Sequence, residues 1–187
     1  METACLKNQT DLPIRLVFQD EARFGRMSDP RACWAPAPHR PTVDLALIRE
    51  FRYEYAAVSP WDGALDYMTA DRMNTESMAR FSEQVSQAHP DEYIVMVLDG
   101  ASSHKSKDLN VPENLSLVLL PPYSPELNPA EQIWNMLRRK YFANRVFDSL
   151  DATTKQAECG LNNMAADKNA MSRLTNWPWI NAVLKAK

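Results

Sequence analysis

Cysteine is scarce. Cys5, Cys33 and Cys159 are odd in number, scattered and not at zinc-site spacing, so neither a disulfide framework nor a structural zinc site is encoded, and the thiols read as cytosolic. No apolar run approaches the roughly 18 residues that a bilayer span needs. The first residues, METACLKNQTDLP, place no apolar core behind a basic start, which excludes a secretory signal. Internal repeats and low-complexity tracts are absent. A net charge of −3 and a pI near 5.6 do not advertise a nucleic-acid binder. What remains is a chain of 187 residues, 45% hydrophobic and 24% charged, long enough for one domain with a genuine core.

The charge is unevenly spread. Residues 1–134 hold 12 Lys+Arg against 20 Asp+Glu, whereas residues 135–187 hold 9 against 4. The positive part opens with Arg138, Arg139, Lys140 and Arg145, shortly after Glu131. A basic segment beside an acidic edge steers a polyanion; the competing reading is the solvated face of a surface helix.

Residues 1–13 read as a disordered lead-in. Residues 14–18 alternate as a strand that ends on Asp20-Glu21, and residues 22–41 read as a loop punctuated by Gly25, Pro30, Pro36, Pro38 and Pro41, with a short strand at Cys33-Trp34. Residues 52–58 and 64–69 flank Asp62-Gly63 as a β-hairpin. Asn74 or Thr75 caps a helix with Met78, Phe81, Val85 and Ala88 on one face, ended by His89-Pro90. Residues 94–98 are apolar throughout, as in a central strand covered on both faces. A polar connector, a second apolar run at 115–120, a Pro-rich loop and a helix launched by Asn128-Pro129 follow. Two further helices are expected, one over about 149–165 and one beginning at Asn176. This order gives an α/β fold: a mixed sheet of antiparallel strands followed by parallel strands, flanked by helices.

Asp20 and Asp99 each terminate an apolar strand, and Glu131 stands in the first turn of a helix. Taken singly, each has a plainer role: the aspartates as turn acids, and Glu131 as the third helical residue of a capping box with Asn128 at the cap. Together, at one sheet edge, they would repel. At about 4 Å and an effective dielectric near 20, each ionised pair costs on the order of 4 kcal/mol. Divalent cations relieve such a cluster, and all-oxygen donors select the hard ions Mg²⁺ or Mn²⁺. Two such ions about 4 Å apart suit in-line displacement at a phosphodiester.

LDGASSH, then PPYSPELNPAEQIW, with FQDE upstream, resembles the catalytic domain of the DDE transposases of the mariner superfamily, and most of all its bacterial insertion-sequence branch. The resemblance covers roughly residues 14–141. It implies a ribonuclease H-like catalytic domain over 14–145 with C-terminal helices at 146–187 packed on it. It also implies metal-dependent cleavage and strand transfer of double-stranded DNA at element ends and at a target TA dinucleotide, in the bacterial cytoplasm at the nucleoid. Carried over residue by residue, the metal-holding catalytic acids fall on Asp20, Asp99 and Glu131, with two Mg²⁺ or Mn²⁺. A homodimer on DNA and a separate helix-turn-helix subunit are the implied partners. Three departures stand out: the 31 residues between Asp99 and Glu131 are a trimmed connector, Gly100 replaces a common Asn, and no helix-turn-helix modules precede the first strand. The chain thus reads as half of a split transposase, a truncated relic or an excised segment.

His104 either approaches the scissile phosphate or metal-bound water, or is a surface residue of the connector. Lys105, Arg138 and Arg139 are candidate phosphate contacts. Tyr123 and Ser124 either touch DNA or set the loop's shape, and Trp134 and Leu137 read as core. The competing functions are another ribonuclease H-like nuclease, such as a hybrid-cutting enzyme or junction resolvase, and an inactive remnant that only binds.

Overall fold

The computed structural model describes residues 11–100 and 109–185, with side chains through residue 182. Five strands form one mixed sheet: β1 (Ile14–Met27), β2 (Leu47–Val58), β3 (Leu65–Ala70), β4 (Tyr93–Leu98) and β5 (Leu115–Leu119), in the order β3-β2-β1-β4-β5. β1 pairs antiparallel with β2 and β2 with β3, while β1–β4 and β4–β5 are parallel. The helices are α1 (Thr75–Ala88), α2 (Glu131–Leu137), α3 (Leu150–Ala166), α4 (Lys168–Thr175) and α5 (Pro178–Lys185). A 3₁₀ turn (Pro125–Leu127) precedes α2, and a π-helical segment (Arg138–Phe142) continues it. The mixed sheet with flanking helices is the expected ribonuclease H-like arrangement.

Alternation along the strands explains the two cores. One face of the sheet gathers Val17, Tyr55, Ala57, Ile94, Met96 and Leu98 under Met78, Phe81 and Val85 of α1. The other gathers Phe18, Ala56, Val58 and Val97 under Ile133, Trp134 and Leu137 of α2 and Ala157, Leu161, Met171 and Ile180 of α3 to α5. The C-terminal helices therefore share their core with the sheet. Asn74 caps α1 through its side chain, which accepts from the Ser77 amide, and Ser149 caps α3 by accepting from Ala152. All six residues of β4 are buried, as its unbroken apolar pattern requires.

Four expectations are corrected. β1 does not end at Asp20-Glu21. It runs to Met27, because residues 22–27 pair with β2 from Glu54 back to Leu47, and the first proline of the following loop is Pro30. Gly25 fits this strand rather than breaking it: a Cβ there would lie 2.0 Å from the Glu50 carbonyl oxygen. Cys33-Trp34 is irregular, and Trp34 is fully exposed. The C-terminal region holds three helices, not two; Asp167 caps α4 by accepting from the Ala170 amide, a start signal hidden directly behind α3. Gly25→Ala is expected to cost 2 kcal/mol or more, the order of other overpacked cores, measured as a fall in the denaturant midpoint.

The α3-facing core also holds a carboxyl remote from the cavity edge. Glu54 of β2 is fully buried, and burial pushes its carboxyl up to about 8 from 4.5; donation from Thr69 opposes the rise and the Glu158 charge adds to it. Its folded form thus favours the proton. The contribution of this carboxyl to stability is therefore complete below about pH 4.5 and is lost as pH rises through about 8. In chelating buffer the melting temperature is expected to fall across that window, and Glu54→Gln is expected to make the fall shallower, the remainder belonging to Asp20, whose carboxyl is raised to about 8 as well.

Candidate active site

The register places the acids. β1 and β4 pair in parallel up to Phe18 opposite Val97, so two residues further on Asp20 stands level with Asp99. Phe18 and Val97 belong to the same core face. The period of two then sends both carboxylates to that face, from strands about 4.8 Å apart. The Leu120 amide donates to the Leu98 carbonyl at 2.8 Å, carrying the Pro-rich loop past the end of β4 and alongside Asp99. The result is a cavity of about 660 Å³ at the carboxyl edge of the parallel strands, whose lining includes Asp20, Asp99, Tyr123, Asn128 and Glu131.

Asp20 is the most constrained of the three. Only 9% of it is exposed, and Trp134 Nε1 donates to its Oδ2 at 2.9 Å. Burial raises its carboxyl to about 8 from 3.8; the charges of Glu131 and Glu21 raise it further, and the Trp134 donation opposes them. Glu131 is therefore electrostatically in touch with Asp20, while Asp99 shares their cavity. Among the described residues, no three acidic, His or Cys side chains are drawn tightly enough together to hold a metal ion as they stand.

Asn128 does not form the expected capping box. Helix α2 begins at Glu131 without a side-chain cap. Instead, the Asn128 side chain is spent on two neighbours: its Nδ2 donates to the Gln19 carbonyl at 2.9 Å and its Oδ1 accepts from the Ala130 amide at 3.1 Å. This buried amide fastens the start of α2 to the residue preceding Asp20, so that helix and strand present their acids to one cavity. Reading the sequence for caps overlooked this tie, and also the role of Trp134 as a donor to Asp20. The spacing held a clue, since Trp134 is three residues from Glu131 and so on its face of the helix.

The remaining candidates are scattered. Tyr123 is fully exposed at the cavity rim, with a left-handed backbone (φ 58°) that a bulky residue seldom adopts. Ser124 hydrogen-bonds the Pro122 carbonyl within that loop. Arg138 lies over the Phe24 ring, 5.1 Å from its centroid, whereas Arg139 is exposed and lines a separate groove with Asp29, Arg31 and Asn144. His104 and Lys105 lie outside the described residues. No helix among the described residues is long and apolar enough to cross a membrane.

Residues 15–154 match the family model of the DDE superfamily endonucleases. The chain belongs to that family. The match takes in Asp20, Asp99 and Glu131 together with the sheet that carries them. An uncharacterized protein of Sinorhizobium fredii (y4pE/y4sA) is 35% identical over 100 residues, 53% of this chain and 74% of the relative. Among solved structures, the Mos1 transposase paired-end complex with left transposon end is similar at a TM-score of 0.56 and 13% identity, over 89% of this chain and 56% of that one. The Mos1 mariner paired end complex with Mn gives 0.56 and 16%, over 87% and 56%. A simian T-cell lymphotropic virus intasome gives 0.54 and 13%, over 82% and 49%. At these identities the likeness is one of fold, and this family member spans little more than half the length of the Mos1 chain.

Proposed function

We propose that the chain is the catalytic domain of a DNA transposase, cutting and rejoining phosphodiesters with Asp20, Asp99 and Glu131 as the acids that hold two Mg²⁺ or Mn²⁺. Family membership supports nuclease chemistry, and one observation carries the site: three carboxylates from two strand ends and a helix start line a single cavity, with Asp20 held near a pKa of 8 by burial and by Glu131. The donor set fits hard dications, being all oxygen and in need of positive charge. When bound, such ions polarise the phosphodiester and neutralise charge on the attacking and leaving oxygens.

The protein's own groups do the positioning. Trp134 and Asn128 fix Asp20 and the start of α2, so that Asp20 and Glu131 keep one orientation toward the cavity. Tyr123 meets the DNA backbone at the rim, and exposed Arg139 contacts phosphate further out. Arg138, stacked on Phe24, is the weaker phosphate candidate. The substrate is duplex DNA, the element ends and a TA target, with a helix-turn-helix protein and a second copy of this chain as partners in the cytoplasm. Residues 14–145 act as the catalytic body and the helices after residue 146 as its support.

The test is incubation of the purified chain with duplexes bearing the element ends and Mn²⁺. Strand cleavage is expected, absent in chelator and absent in Asp99→Asn. Cleavage by that variant at the wild-type rate would falsify the site. Preferential cutting of RNA–DNA hybrids or four-way junctions would move the chain to another ribonuclease H-like activity. No cleavage, together with no Mn²⁺ heat stabilisation that Asp99→Asn removes, would make it a binding remnant.

A further inference from the structure

A second set of oxygens lies away from the cavity, where α3 crosses β2 and β3. Glu54 and Thr69 are cross-strand partners, and Thr69 Oγ1 donates to Glu54 Oε2 at 2.7 Å. The other oxygen, Glu54 Oε1, is buried and has no hydrogen-bond partner. Two residues before Thr69, and so on its face, Tyr67 donates through its hydroxyl to Asn162 Oδ1 of α3. That contact fixes the helix against the sheet. Glu158 lies one turn back from Asn162, about 5.4 Å along the axis, a spacing close to that between Tyr67 and Thr69 along their strand.

Glu158 is therefore brought toward Glu54; burial raises both the Glu54 carboxyl and the Tyr67 hydroxyl, and the Glu158 charge adds to each. Neither Glu54 nor Glu158 has an ion-pair partner among the described residues. A buried carboxylate oxygen left without a donor is costly, and a second carboxylate beside it makes the pair worse. Glu158 is half-buried and reaches solvent on the α3 side, whereas Glu54 is fully buried.

We propose that Glu54 and Glu158, with the Asn162 side-chain oxygen, form a second hard-dication site that staples α3 to the β2–β3 edge, separate from the catalytic acids. A ligand set of two carboxylates and an amide oxygen, completed by water, suits Ca²⁺, Mg²⁺ or Mn²⁺. This site does not depend on the transposase reading, because it shares no residue with Asp20, Asp99 or Glu131.

The experiment uses the full chain carrying Asp20→Asn, Asp99→Asn and Glu131→Gln, so that no catalytic-site metal contributes. Thermal melts are recorded at pH 7.5 in chelator and with millimolar Ca²⁺ or Mn²⁺. A rise of about 5 °C or more is expected once the ion exceeds its Kd a hundredfold. Adding Glu54→Gln, which keeps the Thr69 contact, is expected to abolish the rise while leaving the protein folded in chelator; Glu158→Gln is expected to reduce it. Two results overturn the proposal: no rise in the parent, or a rise that survives both substitutions. Stabilisation obtained only by lowering the pH overturns it as well, since the carboxyls would then share a proton and not a metal. None of these outcomes touches the cleavage assay, so failure here and failure of the nuclease assignment are told apart.

Discussion

Asp20→Asn is expected to eliminate metal-dependent DNA cleavage, by a factor of about a thousand or more, and at the same time to raise the melting temperature in chelating buffer. The two effects share one cause. Asp20 is nearly buried, stands against the charge of Glu131 and has a carboxyl held up to about 8, so its ionised form is a liability to the folded chain at neutral pH. Asn has the same shape and keeps an oxygen to accept from Trp134 Nε1, but carries no charge to desolvate. The stability gained is on the order of 1–3 kcal/mol, a fraction of the difference between a carboxyl at about 8 and one near 3.8. The same loss of charge removes a ligand from the proposed cation site. Active sites commonly trade stability for reactivity in this way. Parallel nicking assays and calorimetry check it; a variant that is inactive and also destabilised would assign Asp20 to the framework.

Trp134→Ala should be the most damaging single truncation in the core. Its ring is 1% exposed and packs on Phe24 at a centroid distance of 6.0 Å. Removing it should cost about 3–5 kcal/mol, through lost burial and an unfilled cavity. That loss alone would say nothing of the site, so Trp134→Phe is the sharper variant. It keeps most of the ring yet deletes the N–H that reaches Asp20 Oδ2. The donation holds the Asp20 proton affinity down, so its loss should make Asp20 harder to ionise and weaken metal binding or cleavage by about 10- to 100-fold. The readouts are the denaturant midpoint, expected to drop sharply for Ala and mildly for Phe, and Mn²⁺-dependent activity. Full activity in Trp134→Phe would show that the indole N–H does not position Asp20.

Much of this architecture could be read from residue pattern. The unbroken apolar run of β4 announced a covered central strand, the Asp62-Gly63 turn announced the β2–β3 hairpin, and Gly63 does adopt the left-handed φ of 71° that such a turn requires. The second half of β1 is hard to read because Gly25 and Arg26 cut short the brief Ala22-Arg23-Phe24 alternation; long-range pairing with β2 makes residues 22–27 a strand. Helix α4 was hidden because its cap, Asp167, is also the residue at which α3 ends. At the site, the acids were visible as residues at element ends, but the groups that aim them were not. Asn128 and Trp134 each had a commoner local explanation, a helix cap and a core aromatic, and their contacts reach back more than a hundred positions to Gln19 and Asp20. Buried Glu54 was missed for the same reason. Nothing next to it in the chain marks it out; burial raises its proton affinity, and the Glu158 charge that adds to the rise is on a distant helix.

The strand bearing Asp20 is hydrogen-bonded by β4 over residues 14–18 and by β2 over residues 18–27. The changeover between neighbours falls at Phe18, two residues before the acid. Amide deuterium uptake around Phe18 should accordingly be among the slowest in the molecule, exchanging only when the whole sheet opens. The rim of the cavity around Tyr123, built on short turns, should exchange orders of magnitude sooner. Chemistry that demands a fixed carboxylate and a yielding entrance would thus draw each from opposite ends of the same protein's range of local opening.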